Sequence, residues 1–298
     1  MNILPMKYYL AVVKYGGISA AAKELFITQQ TLSTHIAAME KELGCILFER
    51  KPVFRLTDAG TSFCRYCENM VALDEQMHRE FAERKKEPAG TLRVGISQTR
   101  SRIMMPAVAK EWRKRYPKVC LEIHEMTNEQ LIRAIMDGKL EVAVGNIHDE
   151  IPELQVESLH QENVMLLVPD REEYCELKQM QDMDRMWQFL GRYTFIMHTD
   201  RDIIGRYSKR VFEEHGLIPE IAVVSDNAET CMDMCRNGMG LYICPDFLLE
   251  NLKASNQCLA IPLHMEYTIS AAYRKQAYQS RLVEEFVQTL KRWEKEKT

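Results

Sequence analysis

The sequence predicts an α/β protein of two domains, a small helical head and a larger body in which strands and helices alternate. Residues 1–60 contain short amphipathic helical segments separated by glycines, the following stretch can run as one long helix, and residues 91–298 alternate apolar strands with helices. The predicted units are the head at 1–60, a linker helix and hinge at 61–90, and the body at 91–298, with one half at 91–163 and 267–298 and the other at 164–266.

The charge of the chain is unevenly distributed. The net charge is −4 over 298 residues, but residues 1–60 carry +2 and the rest carry −6. A weakly basic head on an acidic body fits phosphate contact by the head alone. We find neither a signal-peptide pattern nor an apolar run long enough to span a bilayer, so we expect a cytoplasmic location without membrane contact.

The nine cysteines are expected to be free thiols, because a reducing compartment disfavours disulfides. Cys64 and Cys67 form a CxxC without a second pair at zinc-finger spacing, so packing explains them better than a metal does. Cys231 and Cys235 lie four residues apart on one predicted helix face, where a redox pair is the less common interpretation and packing the more common one. No metal or cofactor is expected.

Two glycines separate the first helix from the second. The apolar face of the first helix has intervals of three and four residues and consists of Met6, Tyr9, Leu10 and Val13. Gly16 and Gly17 end it, because glycine readily adopts positive φ. Ser19 is the predicted N-cap of a short, alanine-rich second helix.

A third helix follows a tight turn, with Thr28 as its predicted N-cap and Gly44 at its end. Its apolar face consists of Leu32, Ile36, Met39 and Leu43. Two short helices joined in this way are typical of a helix-turn-helix, whose second helix enters the DNA major groove. The candidate DNA contacts are the uncharged residues Ser19, Thr28, Gln29, Gln30, Thr31, Ser33, Thr34 and His35. A merely solvated face is the alternative, but such faces usually hold Lys and Glu.

Two short strands are predicted to form a wing at Ile46–Arg50 and Phe54–Thr57, around a turn at Lys51 and Pro52. Arg50, Lys51 and Arg55 would then face DNA phosphates. Because winged helices also bind proteins, the pattern alone leaves the function open.

The segments Ser19–Ser33, Glu40–Gly44, Leu47–Arg50 and Leu56–Gly60 together resemble the signature of LysR-type transcriptional regulators. The resemblance implies that Gln29, Gln30, Thr31, Ser33 and His35 occupy recognition-helix positions and that Arg50 is a phosphate contact of the wing. It also implies double-stranded promoter DNA as a partner, a homodimer or a tetramer of two dimers, and RNA polymerase as a further partner. The sequence departs from the family pattern at Thr34, where arginine is common, and in a wing about one residue short.

The linker has no glycine between Gly60 and Lys86 and no proline before Pro88, so roughly 26 residues from Asp58 can form one helix. Its apolar seam is Phe63, Tyr66, Met70, Leu73 and Met77. Packing against its own domain is the alternative, but a single seam on a long linker favours a homodimer, in which two heads read two half-sites.

The body repeats the order strand, loop, helix, which predicts a parallel sheet with helices on both faces. The predicted strands are Leu92–Ile96, Val119–His124 and Leu140–Val144 in the first half, and Tyr193–Met197, Ile221–Val224 and Leu241–Cys244 in the second. The segments Glu162–Val168 and Tyr267–Tyr273 are expected to cross between the halves, and a last helix, Gln279–Trp293, returns to the first half. This order resembles the LysR effector domain, with its periplasmic-binding-protein-like fold.

Ligands of such sheets bind beyond the carboxyl ends of the strands, at helix N-termini. This rule selects Ser97, Gln98, Thr99, Arg100, Thr127, Asn128, His198 and Thr199. Hydroxyls, amides and arginine suit an anion or a polar metabolite, although helix capping explains any single residue equally well. The resemblance implies that Ser97, Thr99 and Thr127 line an effector cleft and that His198 and Thr199 close it over a small molecule.

Other functions fit the sequence less well. The motifs GxSxG, HExxH, GxGxxG and the P-loop are absent, so no enzyme is expected. A transport-type binding protein would match the body but not the head. The sequence therefore predicts a DNA-binding transcriptional regulator modulated by a small-molecule effector, with ligand-independent or redox-responsive regulation as the alternative.

Overall fold

The computed structural model describes residues 2–49, 53–83, 88–148, 150–180, 182–252, 258–275 and 280–297. The helices are α1 (Ile3–Tyr15), α2 (Ile18–Glu24), α3 (Gln29–Leu43), α4 (Asp58–Glu83), α5 (Gln98–Arg115), α6 (Asn128–Met136), α7 (Cys175–Gln179), α8 (Met183–Leu190), α9 (Ile203–Glu214), α10 (Ala228–Arg236) and α11 (Arg281–Lys297). The strands are β1 (Phe48–Glu49), β2 (Arg55–Leu56), β3 (Gly90–Ile96), β4 (Val119–Glu125), β5 (Val142–Gly145), β6 (Leu154–Pro169), β7 (Thr194–His198), β8 (Glu220–Ser225), β9 (Leu241–Pro245) and β10 (Cys258–Arg274). Two 3-10 helices occupy Glu172–Tyr174 and Asp246–Leu252.

The glycine predicted to end α1 does so. Gly16 has φ 69°, and its N–H bonds to the carbonyls of Val12 and Val13. The buried face of α1 includes Val12 besides Met6 and Tyr9. The expected cap of α2 was wrong: α2 begins at Ile18 after Gly17, so Ser19 already lies in the first helical turn.

Helix α3 begins and ends where the sequence predicts. The hydroxyl oxygen of Thr28 accepts a hydrogen bond from the N–H of Thr31 at 3.1 Å, and Gly44 takes the left-handed conformation with φ 68°. Leu32, Ile36 and Met39 are buried, whereas Leu43, which was expected on the same face, is exposed.

The wing consists of β1 and β2, paired antiparallel with Phe48 opposite Leu56. Phe48 contacts the ring of Tyr9 at a centroid distance of 5.0 Å, so the wing packs into the core of the head. Gly60 is required here, because a Cβ atom at this position would lie 2.1 Å from the carbonyl oxygen of Leu47. The Tyr9 hydroxyl donates to the Gly60 carbonyl at 2.8 Å, which fixes the start of α4 against α1.

Helix α4 is 26 residues long, or about 39 Å. Its first turns belong to the head, since Phe63 and Cys67 are buried in the same core as Tyr9. The assignment of Phe63 to a dimer seam was therefore wrong. The rest of the predicted seam is an exposed stripe, formed by Tyr66, Met70, Leu73 and Met77.

The body contains one eight-stranded sheet in the order β4-β3-β5-β10-β6-β9-β7-β8. Strands β3, β4 and β5 are parallel, as are β7, β8 and β9, but β6 and β10 run antiparallel to their neighbours. The prediction of a parallel sheet thus holds within each half and fails at the crossing strands. These strands are long, 16 and 17 residues, and they join the two halves into one sheet.

Candidate functional site

The N-terminal part of α3 presents a polar surface on the head. Gln29, Gln30, Thr31 and Thr34 are exposed there. Ser19 on α2 is also exposed, whereas Ser33 and His35 are half-buried.

Three of these side chains are partly engaged within the head. The hydroxyl oxygen of Thr31 lies 2.8 Å from that of Thr28. The His35 ring lies edge-on to Tyr8 at 5.0 Å, and the Thr34 hydroxyl donates to the Gln30 carbonyl at 2.9 Å. Gln29 and Gln30 are the longest of the exposed side chains, and an amide can pair with an adenine edge in the major groove.

Arg55 is the one predicted wing cation within the described residues, and it is paired. Nε of Arg55 lies 2.5 Å from Oε2 of Glu49 on the opposite strand, so its charge is partly compensated. Both side chains are exposed, and such pairs contribute little to stability. Arg50 and Lys51 lie outside the described residues.

A cavity of about 430 Å³ opens where strands of both halves end. Seven of the eight predicted cleft residues line it, namely Ser97, Gln98, Thr99, Arg100, Thr127, Asn128 and His198. The exception is Thr199. Its backbone N–H donates to the Ser225 carbonyl. Its own carbonyl oxygen packs closely on Gly205, where a Cβ atom would lie 2.1 Å from that oxygen.

Sequence reasoning missed part of the lining. Glu125, Asp202, Asp226 and Asn227 also face the cavity. Asp226 and Asn227 directly follow β8, so the strand-end rule would have found them had it been applied to that strand. Tyr267 of the crossing strand β10 has no such local signal.

The helix N-termini around the cavity are capped differently. Asp202 accepts from the N–H of Ile204, and Asn227 accepts from that of Thr230, both at 2.9 Å. At α6, the side chain of Gln130 accepts from the Thr127 N–H at 3.0 Å. Ser97 makes no side-chain cap on α5, so the first N–H groups of α5 remain available to a ligand.

Arg100 lines the cavity but is not a free cation. It is 6% exposed, and both of its terminal nitrogens bond to the carboxylate of Glu162 on β6, Nη2 to Oε2 at 3.0 Å. Burial alone would raise the pKa of Glu162, but the Arg100 charge and hydrogen bonds from His160 and Tyr267 lower it to about 2. Arg100 thus ties α5 to the crossing strand.

The same carboxylate anchors a wider buried network. The Tyr267 hydroxyl donates to Glu162 at 2.6 Å, and His160 lies 2.9 Å from Glu162 and 3.0 Å from Glu294 on α11. Burial would lower the pKa of His160, but hydrogen bonds to these two carboxylates raise it to about 9. The network joins both crossing strands, α5 and α11.

Six of the nine cysteines lie in two packed groups, whereas Cys45, Cys120 and Cys175 are exposed. Cys64 and Cys67 pack in the head, as expected, and burial raises the pKa of Cys67 to about 12. In the body, the Cys231 thiol donates to the Met197 carbonyl and the Cys235 thiol to that of Leu167.

The thiol that neighbours Cys235 is Cys258, a residue that the sequence did not single out. Interaction with Cys235 lowers the pKa of Cys258, and the same interaction raises the pKa of Cys235. If a redox pair exists in this region, Cys258 is therefore a better partner for Cys235 than Cys231 is.

Two absences hold within the described part of the chain. No group of three or more His, Cys, Asp or Glu there is arranged to hold a metal ion. No helix within the described residues is long and apolar enough to cross a membrane.

Known families and proteins match both parts of the molecule. A family described as "Bacterial regulatory helix-turn-helix protein, lysR family" matches residues 5–61, and the "LysR substrate binding domain" matches residues 85–295. A probable RuBisCO transcriptional regulator of Porphyra purpurea is 27% identical over 237 residues, which are 77% of this chain and 73% of that protein. The HTH-type transcriptional regulator YtlI of Bacillus subtilis is 26% identical over 178 residues, 60% of this chain and 58% of that protein.

Solved structures share the whole architecture. Full-length CbnR in complex with its target DNA has a TM-score of 0.70 at 20% identity, over 98% of this chain and 100% of that one. A full-length OxyR variant from Pseudomonas aeruginosa has a TM-score of 0.73 at 20% identity, over 97% and 94%. At such identities these likenesses establish the fold, whereas the two family matches span nearly the whole sequence. The chain belongs to the LysR family of transcriptional regulators, proteins that bind DNA through the head and are not enzymes.

Proposed function

We propose that this regulator binds a small-molecule effector between the halves of its body and that the effector changes how the protein holds promoter DNA. The observation that carries the proposal is the cavity of about 430 Å³, which strand ends and helix N-termini of both halves enclose. A ligand that touches both halves favours the arrangement in which both contacts form, and it acts through its different affinity for the two arrangements.

An ion pair joins the two halves directly. Nε of Arg102 on α5 lies 2.5 Å from Oε1 of Glu229 on α10. Both side chains are partly exposed, so the pair contributes less than about 1 kcal/mol. A contact this weak can break and re-form as the halves move, which suits a cleft that opens for its ligand.

DNA recognition is proposed for α3 and the wing. Gln29, Gln30 and Thr31 would contact base edges, and Arg50 and Lys51 would contact phosphates. The exposed stripe on α4 would pair with a second copy, which gives a homodimer whose two heads read two half-sites. Assembly of two dimers and contact with RNA polymerase belong to the same proposal.

The test uses the full chain on a DNA site selected from random fragments. A footprint is recorded with and without each compound of a metabolite panel, and an effector is expected to lengthen, shorten or shift the protected region. Gln30→Ala should weaken specific binding about tenfold or more, whereas Gln155→Ala, an exposed body residue, should not. Identical footprints with a compound that saturates the cavity would refute the proposal.

A redox-responsive regulator is the second candidate. The contact between Cys235 and Cys258 supports it, because a thiol with a lowered pKa beside a second thiol is the arrangement that oxidants convert to a disulfide.

A further inference from the structure

The charges that line the cavity are unbalanced. One guanidinium, that of Arg100, faces three carboxylates, Glu125, Asp202 and Asp226. Arg100 is neutralised by Glu162, and within the described part of the chain none of the three lining carboxylates forms an ion pair. An anionic ligand would therefore meet net repulsion, whereas a cationic group would be attracted.

The two walls of the cavity differ in polarity. The second half contributes Asp202 and Asp226, at the starts of α9 and α10. The first half contributes the N-terminus of α5, whose N–H groups have no side-chain cap and whose dipole favours an anion. Glu125 lies exposed on this side, at the end of β4.

Two buried polar atoms at the cavity lack partners, and they point to a ligand independently of the charges. Arg100 and His198 are each 6% exposed and line the cavity, yet Nε of Arg100 and Nδ1 of His198 have no hydrogen-bond partner. Buried polar groups are seldom left unpaired, because each costs free energy until it is satisfied. Nε of Arg100 can only donate, so it requires an acceptor atom on the ligand.

We infer that the effector is a zwitterion of the amino-acid class. Its carboxylate lies at the N-terminus of α5 within reach of Arg100, and its protonated nitrogen lies against Asp202 and Asp226. The volume of about 430 Å³ falls in the usual range for small-molecule sites. This inference rests on the proposed function and specifies the ligand of the same cavity. A zwitterion of this kind bridges the halves, since each end binds a different wall.

The experiment is a thermal melt of the full-length protein with each standard L-amino acid at about 10 mM, beside the same molecule without its α-amino group. At least one amino acid should raise the Tm, and its des-amino partner should bind about tenfold more weakly or worse. Asp202→Asn and Asp226→Asn each remove a negative charge and keep the shape of the side chain. Asparagine at position 202 also keeps the N-cap of α9. Each should weaken binding of the amino acid about tenfold. Neither should weaken binding of the des-amino acid, because that anion loses only a repulsive charge.

Asp200→Asn is the matched control, because Asp200 pairs with Lys209 at 2.8 Å and does not line the cavity. The inference is overturned if a nitrogen-free carboxylic acid binds as tightly as its amino acid, if neither aspartate variant changes binding, or if no amino acid binds. A DNA footprint recorded with the compound that binds distinguishes failure of this inference from failure of the proposed function. If a nitrogen-free acid shifts the footprint, the zwitterionic ligand is refuted, but the proposed effect of an effector on DNA binding stands. If an amino acid binds without shifting the footprint, the proposed effect on DNA binding is refuted, but the zwitterionic ligand stands.

Discussion

Replacing Glu162 by glutamine should destabilise the body strongly. The substitution keeps the shape of the side chain but removes the charge that compensates Arg100, which is 6% exposed. Tyr267 and His160 lose the same acceptor charge. Within the described residues, the buried guanidinium then has no carboxylate in contact with it.

The size of this loss of stability follows from the change in the pKa of Glu162 on folding. The pKa of Glu162 falls from 4.5 to about 2 on folding, which corresponds to about 3 kcal/mol in favour of the folded state. Because the folded pKa is depressed, this contribution is complete above pH 4.5 and is lost as the pH falls towards 2. Removing one partner of a buried pair costs about 3 to 5 kcal/mol, so the two figures agree.

Chemical denaturation followed by tryptophan fluorescence tests this, because Trp112, Trp187 and Trp293 all lie in the body. The free energy of unfolding of Glu162→Gln should be lower than that of the wild type by about 3 to 5 kcal/mol at pH 7. At pH 3 this difference should be about 2 kcal/mol smaller. Adding Arg100→Met should recover more than half of the loss, since no charge is then left unpaired. A difference in the free energy of unfolding below about 1 kcal/mol at pH 7 would refute this role of Glu162.

Four further predictions concern other parts of the molecule. His160 has a pKa raised to about 9, so its stabilisation is complete below pH 6.5 and is lost as the pH rises through 9; His160→Gln should abolish this alkaline decline in denaturation experiments. Gly60→Ala should cost about 1 to 3 kcal/mol in a thermal melt, because its Cβ meets the backbone of the wing, and an unchanged Tm would contradict the 2.1 Å approach. Leu73→Glu on the exposed stripe should convert dimers to folded monomers in sedimentation, and an unchanged mass would exclude the stripe as the interface. Hydrogen peroxide should produce a disulfide that joins Cys235 to Cys258, and peptide mapping that finds Cys258 free would contradict this.

Local signals predicted the elements whose ends depend on a single residue. Thr28 and Gly44 fixed both ends of α3, and the absence of glycine and proline fixed the length of α4. The rule that ligands lie at strand ends found Ser97, Thr127 and their neighbours, because it depends on chain order rather than on distant contacts.

Features that depend on distant partners could not be predicted in this way. Arg100 and Glu162 are 62 residues apart, and nothing near either residue indicates that they pair. Phe63 fits a coiled-coil seam by spacing, yet the ring of Tyr9, 4.9 Å away, places it in the core of the head. The contact between Cys235 and Cys258 arises only when α10 packs on the sheet, where both residues join one apolar cluster.

Two contacts could transmit a signal from the cavity to the DNA-binding head, and their free energies differ. Thr127, the N-cap of α6, lies in the cavity wall. Lys139, just beyond the end of α6, lies 2.9 Å from Glu68 on α4. Both side chains are substantially exposed, so this ion pair supplies at most about 1 kcal/mol, whereas coupling between two sites is typically about 1 to 3 kcal/mol. Covering apolar side chains such as Tyr66 and Leu73 on the α4 stripe contributes about 1 kcal/mol or more for each. A change in how two copies meet along α4 can therefore carry an effector signal that the single ion pair cannot.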